Sequence, residues 1–319
     1  MRDQVKISIV APAFNEEENL QGLYEEICST LDENSEDFEI IIVDNGSTDG
    51  TLKLLKKLRA ADPRVGYVSL SRNFGHQGGL IAGLEHCQGG VVVTMDADLQ
   101  HPPNTIIEML DHWKEGVDVV QTVRRNDTNT HRLRKILNGL FYSLIRRLMG
   151  AGMSTSQSDF RLMDRKALDA LLALPEKDKF LRGLAGWIGF RQTYVAYTPR
   201  MRTAGLSKFK FRHLTSFTIN GILAFGILPL RLFTIFGLLV ATVTILYGLA
   251  VLVSAIFQGT DTLPPGWATL AIAVSFLGGV QLIGIGILGE YLGRTLGEAR
   301  ARPAYVVCEA EIGSEPIKK

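Results

Sequence analysis

Two long stretches towards the end of the chain carry no charged side chain. None of Asp, Glu, Lys or Arg occurs between Arg231 and Asp261, and none occurs between Asp261 and Glu290. A helix of about 20 apolar residues crosses a hydrocarbon core of about 30 Å, and Leu232 to Phe257 and Trp267 to Leu288 are each that long. A chain with these segments is not expected to be wholly water-soluble. The residues between them include Gly259, Pro264, Pro265 and Gly266 and read as a turn. A two-helix transmembrane hairpin over 232–288 is therefore expected.

The cations near the hairpin set its orientation. Arg200, Arg202, Lys208, Lys210, Arg212 and Arg231 precede the first span, Arg294, Arg300 and Arg302 follow the second, and the turn has none. Both termini are then expected in the cytoplasm, in an integral protein of the cytoplasmic (inner) membrane. The first residues, Met1 to Gln4, lack an apolar region, and Glu16 to Glu18 follow soon after, which is unlike a signal peptide. Residues 211–231 read as an interfacial helix, its run ended by Pro229 and Arg231, with Lys208, Lys210 and Arg212 towards anionic head groups. Residues 289–319 read as a cytoplasmic tail.

A net charge of +1 gives no global attraction to nucleic acid, and none is expected as a partner. Cys28, Cys87 and Cys308 are odd in number and widely spaced, against a disulfide framework or a zinc site.

Residues 1–210 alternate β-branched runs with helical patterns. Val5–Val10, Glu39–Val43, Val65–Leu70, Val91–Met95 and Val117–Val120 predict strands, with helices over Glu16–Leu31, Asp49–Ala60, Gln77–Cys87 and Pro103–Glu115. This is an α/β, Rossmann-like pattern with a mainly parallel sheet, whose ligands sit beyond the carboxyl ends of the strands. The segments leaving those ends are Ala11-Pro12-Ala13-Phe14-Asn15-Glu16, Asp44-Asn45-Gly46-Ser47-Thr48-Asp49 and Asp96-Ala97-Asp98-Leu99-Gln100. No GxxxxGK[ST] loop is present, and the one GxGxxG, Gly284 to Gly289, falls in the second span, where it reads as a packing face between helices.

Asp96 and Asp98, with the carboxamide of Gln100, are hard oxygen donors suited to Mg2+ or Mn2+ bridging a diphosphate. By itself such an acidic pair is more often a solvated strand end. Asp44 reads equally as a turn-forming residue, with Ser47 and Thr48 as helix caps.

The three segments above, followed by His101-Pro102 and by Asp159-Phe160-Arg161-Leu162-Met163-Asp164-Arg165, resemble glycosyltransferase family 2 in order and spacing. With its two spans, the chain is similar over nearly all its length to the polyprenyl-phosphate glycosyltransferases, the group that includes dolichol-phosphate mannosyltransferase and the bactoprenol glucosyltransferases. The resemblance implies a GT-A fold, a nucleotide-sugar donor, Mg2+ or Mn2+ as cofactor, and a polyprenyl phosphate acceptor in the membrane; a homo-oligomer is expected. It implies that Pro12, Phe14 and Glu16 line the base and ribose pocket, that Asp44 accepts a hydrogen bond from base or ribose, and that Asp96, Asp98 and Gln100 surround the metal, Asp96 also on the donor. Asn45 stands where the family often has a second Asp, which bears on base preference.

Cations must hold a lipid phosphate at the membrane face. Arg124 and Arg125, then Arg132, Arg134, Lys135, Arg146 and Arg147, are available, and the resemblance puts Arg124 and Arg134 at the acceptor phosphate. Arg202-Thr203-Ala204-Gly205-Leu206-Ser207-Lys208-Phe209 is similar to the family's mobile loop. There Arg202 is expected in catalytic closure, and Ser207 and Lys208 at the acceptor phosphate. Asp159 is the nearest candidate for a general base, although a phosphate monoester, with a second pKa of about 6, needs little deprotonation. Orienting a sugar hydroxyl, pairing with Arg161 or capping a helix near Asp164 are the other roles open to it. His76 or Gln77 reads as a donor contact or as a helix start.

The expected reaction is inverting transfer of a sugar to the lipid phosphate. UDP-glucose ranks first as donor because Phe180–Gln192 and Gly278–Arg294 most resemble the bactoprenol glucosyl group. GDP-mannose and other UDP-sugars remain open, as does a non-catalytic role in a lipid-sugar assembly.

Overall fold

The computed structural model describes residues 6–34, 36–125, 157–176, 179–200, 228–258, 266–313 and 315–316. They form two units, Met1–Lys210 with Arg302–Lys319, and Phe211–Ala301.

The first unit begins with alternating strands and helices: β1 (Ile7–Ala13), α1 (Glu17–Glu33), β2 (Phe38–Asp44), α2 (Thr51–Ala61), β3 (Val65–Leu70), α3 (Gly75–His86), β4 (Val91–Thr94), α4 (Asn104–Lys114) and β5 (Val119–Arg124). After β5 come β6 (Gln157–Asp164), α5 (Arg165–Leu172), α6 (Leu181–Trp187), β7 (Gln192–Tyr197), β8 (Val307–Ile312) and β9 (Glu315–Pro316). One sheet runs in the order β7-β5-β6-β4-β1-β2-β3-β8-β9. Its centre, β4-β1-β2-β3, is parallel, and β6 and β8 join it antiparallel on either side. This is a GT-A-like, mainly parallel mixed sheet. Ile40, Ile41, Ile42 and Val43 are all buried, as a strand covered on both faces requires. On α1 the apolar residues Leu20, Leu23, Ile27 and Leu31 recur every three or four positions and pack into the same core.

Three expectations are corrected. First, the fifth strand reaches Arg124 rather than ending at Val120. Its polar residues bond inside the sheet, Gln121 Nε2 donating to Gln192 Oε1 (3.0 Å) and Thr122 Oγ1 to the Phe160 carbonyl (2.6 Å), while Gln121 Oε1 is buried without a partner among the described residues. Second, the C-terminal residues are not a separate tail. β8 adds to the edge of β3, which would otherwise present an unpaired row of backbone groups, and Ser71 N–H donates to the Val306 carbonyl at 2.9 Å. Third, the first apolar helix begins at Leu228 rather than at Leu232, with Pro229 in its first turn, where a proline has no intrahelical N–H to lose.

The second unit contains α7 (Leu228–Gln258) and α8 (Trp267–Ala299). α8 thus continues beyond the expected end at Leu288. Both are long and apolar enough to cross a membrane, with mean hydropathy 2.1 over Phe233–Ala250 and 1.4 over Phe276–Ala299. Part of the GxGxxG run does pack between helices: a Cβ on Gly284 would meet the Phe233 ring of α7 at 2.4 Å. The proposed interfacial segment lies outside the described residues up to position 227.

Candidate active site

The loops leaving the carboxyl ends of β1 and β2 are tied to each other. Asn15 adopts a left-handed backbone (φ 55°), its N–H donates to Ser47 Oγ (3.0 Å), and its side chain accepts from Thr48 N–H (2.8 Å). Ser47 and Thr48 therefore brace the neighbouring loop instead of capping a helix. Pro12, Phe14 and Glu16 lie half-buried beside this corner. Asp44 is buried and accepts from Ser47 N–H and Ser69 Oγ, both at 2.9 Å. Asn45 is buried as well: its amide donates to the Gly75 carbonyl and its oxygen accepts from Phe74 N–H, both at 2.9 Å. Its carboxamide thus fixes the loop before α3, a job that a carboxylate, having no donor, performs only by half.

The third loop holds Asp96, Asp98 and Gln100, all half-buried, with Leu99 at φ 61°. Asp96 N–H donates to His101 Nδ1 at 3.0 Å, and Gln100 N–H donates to Asp98 Oδ1 at 3.2 Å. Among the described residues no cluster of three or more His, Cys, Asp or Glu side chains is arranged to hold a metal. The donor set nevertheless suits Mg2+ or a similar hard ion, which binds through one or two carboxylates and completes its shell with phosphate and water.

Asp159, on β6, is the hub. Its side chain is 3% exposed and meets Arg161 Nη2 at 2.9 Å, Arg182 Nη2 at 2.7 Å and His76 Nε2 at 3.2 Å. His76 Nε2 also lies 3.5 Å from Asp96 Oδ1 and so bridges the two carboxylates. Burial pushes the Asp159 carboxyl up, but the His76 hydrogen bond and the charges of Arg182 and Arg161 outweigh it and hold the group well below the usual carboxylate range. For His76 the signs are reversed: desolvation lowers its pKa, but the hydrogen bond to Asp159 and the charges of Asp96 and Asp159 outweigh it, to a net increase. His101 is fully buried, and burial lowers its pKa. A carboxylate so stabilised is a weak base. The helix near Asp164 is capped by Asp164 itself, which accepts from Lys166 N–H, so Asp159 has no capping role; the ion pair with Arg161 is present.

Arg124 ends β5, and its Nε donates to Tyr197 Oη at 3.0 Å. Arg134, Arg202, Ser207 and Lys208 lie outside the described residues. Arg182 and Tyr197 escaped the sequence reading, and His101 was passed over inside its own motif. A lone arginine in the apolar run Phe180 to Trp187 was the available signal for Arg182.

A parallel-centred sheet with acidic and polar loops along one edge, and no glycine-rich phosphate loop, has the architecture of GT-A-type glycosyltransferases. The chain belongs to glycosyl transferase family 2, whose model matches residues 8–172. It is 39% identical over 305 residues to an uncharacterized glycosyltransferase of Synechocystis, covering 96% of this chain and 95% of that one. It is 36% identical over 310 residues to the SfII prophage-derived bactoprenol glucosyl transferase of Shigella flexneri, covering 97% of this chain and all (100%) of that one. Among solved structures it is similar to the mannosyltransferase PcManGT of Pyrobaculum calidifontis at 16% identity and a TM-score of 0.49, over 94% of this chain and 88% of that one, too distant for residues to be carried across.

Proposed function

We propose that the chain transfers glucose from UDP-glucose to a membrane polyprenyl phosphate, with inversion, to give a polyprenyl-phosphate sugar. The observation that carries this reading is the state of Asp159. A hydroxyl acceptor needs a base with a pKa near the working pH, whereas the buried Asp159 carboxylate is paired with Arg182, Arg161 and His76, which favour its anionic form. An acceptor that is already an anion needs no such base. The end-to-end likeness to a bactoprenol glucosyl transferase supports both the lipid and the glucose.

In this reading an oxygen of the lipid phosphate attacks the anomeric carbon, the bond from that carbon to the diphosphate breaks, and UDP departs with the electron pair. Arg124 and Arg134 hold the acceptor phosphate, and Arg202, Ser207 and Lys208 close over the reacting groups. Pro12, Phe14, Glu16 and Asp44 receive the nucleoside. Asp159 aims the cation Arg182, and with it the imidazole of His76, at the place where phosphate charge gathers. Mg2+ or Mn2+ bound by Asp96 and Asp98 with Gln100 would supply charge neutralisation of the leaving diphosphate. α7 and α8 anchor the protein in the cytoplasmic membrane with the catalytic unit and both termini on the cytoplasmic side, as a homo-oligomer.

The test is incubation of the purified full-length chain in detergent with undecaprenyl phosphate, Mg2+ or Mn2+, and labelled nucleotide sugars. Label passing from UDP-glucose into the organic phase is the expected result. Label from GDP-mannose alone would overturn the donor, and label from none, with folding verified, would overturn the reaction.

A further inference from the structure

A chain of buried polar groups leads from the Asp96 loop to Arg124. His101 accepts from Asp96 N–H at Nδ1, so its proton sits on Nε2, which faces Ser158 Oγ at 3.2 Å. Tyr197 Oη donates to the same Ser158 oxygen at 3.2 Å and accepts from Arg124 Nε at 3.0 Å. His101, Ser158 and Tyr197 are 1%, 5% and 3% exposed. Aromatic packing fixes their rings: His101 stacks on Phe160 with centroids 4.8 Å apart, and Tyr197 meets both edge-on at 5.5 and 5.6 Å. Sheet register does the rest, since Arg124 and Tyr197 are direct partners across β5 and β7.

Resting on the reading that Arg124 contacts the acceptor phosphate, we infer that Tyr197 is a positioning residue for that phosphate, with Ser158 and His101 orienting its hydroxyl. An arginine held through Nε keeps its Nη groups as a fork for phosphate oxygens. Holding it before the lipid arrives removes the entropy loss that a long, freely rotating side chain would otherwise suffer on binding. The buried relay thus makes a strand-end arginine into a preorganised anion clamp. It also accounts for serine at position 158, where a small hydroxyl fits between the histidine and the tyrosine.

The experiment compares full-length wild type with Tyr197→Phe, Arg124→Ala and the double variant, titrating undecaprenyl phosphate and nucleotide sugar separately. Tyr197→Phe should raise the acceptor KM about tenfold, the size of one hydrogen bond to a charged group, and leave the donor KM within about twofold. On the Arg124→Ala background it should add nothing further. Ser158→Ala should move the acceptor KM the same way by less, and it replaces Tyr197→Phe as the probe if that variant does not fold. An unchanged acceptor KM in Tyr197→Phe, or an equal effect in both backgrounds, would overturn the positioning role, as would failure of both variants to fold. If Arg124→Ala itself leaves the acceptor KM unchanged, the assignment of Arg124 fails instead.

Discussion

Arg182 grips Asp159 with two prongs, Nε at 2.9 Å from Oδ1 and Nη2 at 2.7 Å from Oδ2. The two residues come from different elements, α6 and β6, and the fork geometry is the strongest that an arginine offers a carboxylate. Arg161, almost wholly buried, takes the same Oδ1 at 2.9 Å. The pairing makes Asp159 a fixed anion whose work is to hold cations in place.

Replacing Asp159 with Asn should leave Arg161 buried without a counter-charge. A loss of about 3–5 kcal/mol in stability is expected, read from denaturant melts. Transfer should fall at least about 100-fold, because Arg182 and His76 lose their anchor. A variant as stable as wild type would contradict the ion-pair geometry.

The folded-state pKa of Asp159 is depressed, so its stabilising contribution is complete above the unfolded carboxylate range and is lost as pH falls through the lower, folded value. Stability should therefore be level on its account from about pH 5 to 8 and decline below about pH 4. Thermal melts across that range measure it. A titration attributable to Asp159 near neutrality, present in wild type and absent in Asp159→Asn, would restore the role of base.

Arg182→Lys keeps the charge but loses the fork, and transfer should drop about tenfold; Arg182→Ala should lose about 100-fold. An Arg182→Lys variant as fast as wild type would show that the two-pronged geometry is irrelevant and only the charge matters.

Chelation of divalent ions should stop transfer, and Mg2+ or Mn2+ should restore it. Asp98→Ala should not be rescued at any accessible metal concentration, whereas Gln100→Ala, which removes a weaker neutral ligand, should be partly rescued. Full turnover in excess chelator would remove the metal from the proposal.

Asn45→Asp sets a carboxylate oxygen against the Gly75 carbonyl where an amide now donates at 2.9 Å. A destabilisation of about 1–3 kcal/mol is expected from the broken buried bond. Since the same loop leads into His76, transfer should fall with it. Calorimetry and initial rates together test the two halves.

Features that depend on a one-dimensional pattern are legible from the order of residues alone. Uncharged runs of the right length mark α7 and α8 because hydrocarbon thickness sets a minimum number of residues. The alternating runs from β1 to β5 are visible because each strand is buried on both faces and each helix on one. The motif loops were legible because the carboxyl ends of parallel strands share an edge, which brings Asp44 and Asp96 to the same side of the sheet.

Tertiary structure decided the rest. β6 carries Asp159 and Arg161, charges that argue against a buried strand until each is paired with the other and with Arg182, 23 residues on from Asp159. No periodicity reports such a pairing, because it depends on register between segments distant in the chain. Register likewise sets Tyr197 beside Arg124, and edge pairing turns residues after α8 into β8. Burial can be read from local pattern, but which charge meets which is settled only when the sheet is assembled, since a hydrogen-bonded ion pair forms only where the two groups come within about 3 Å.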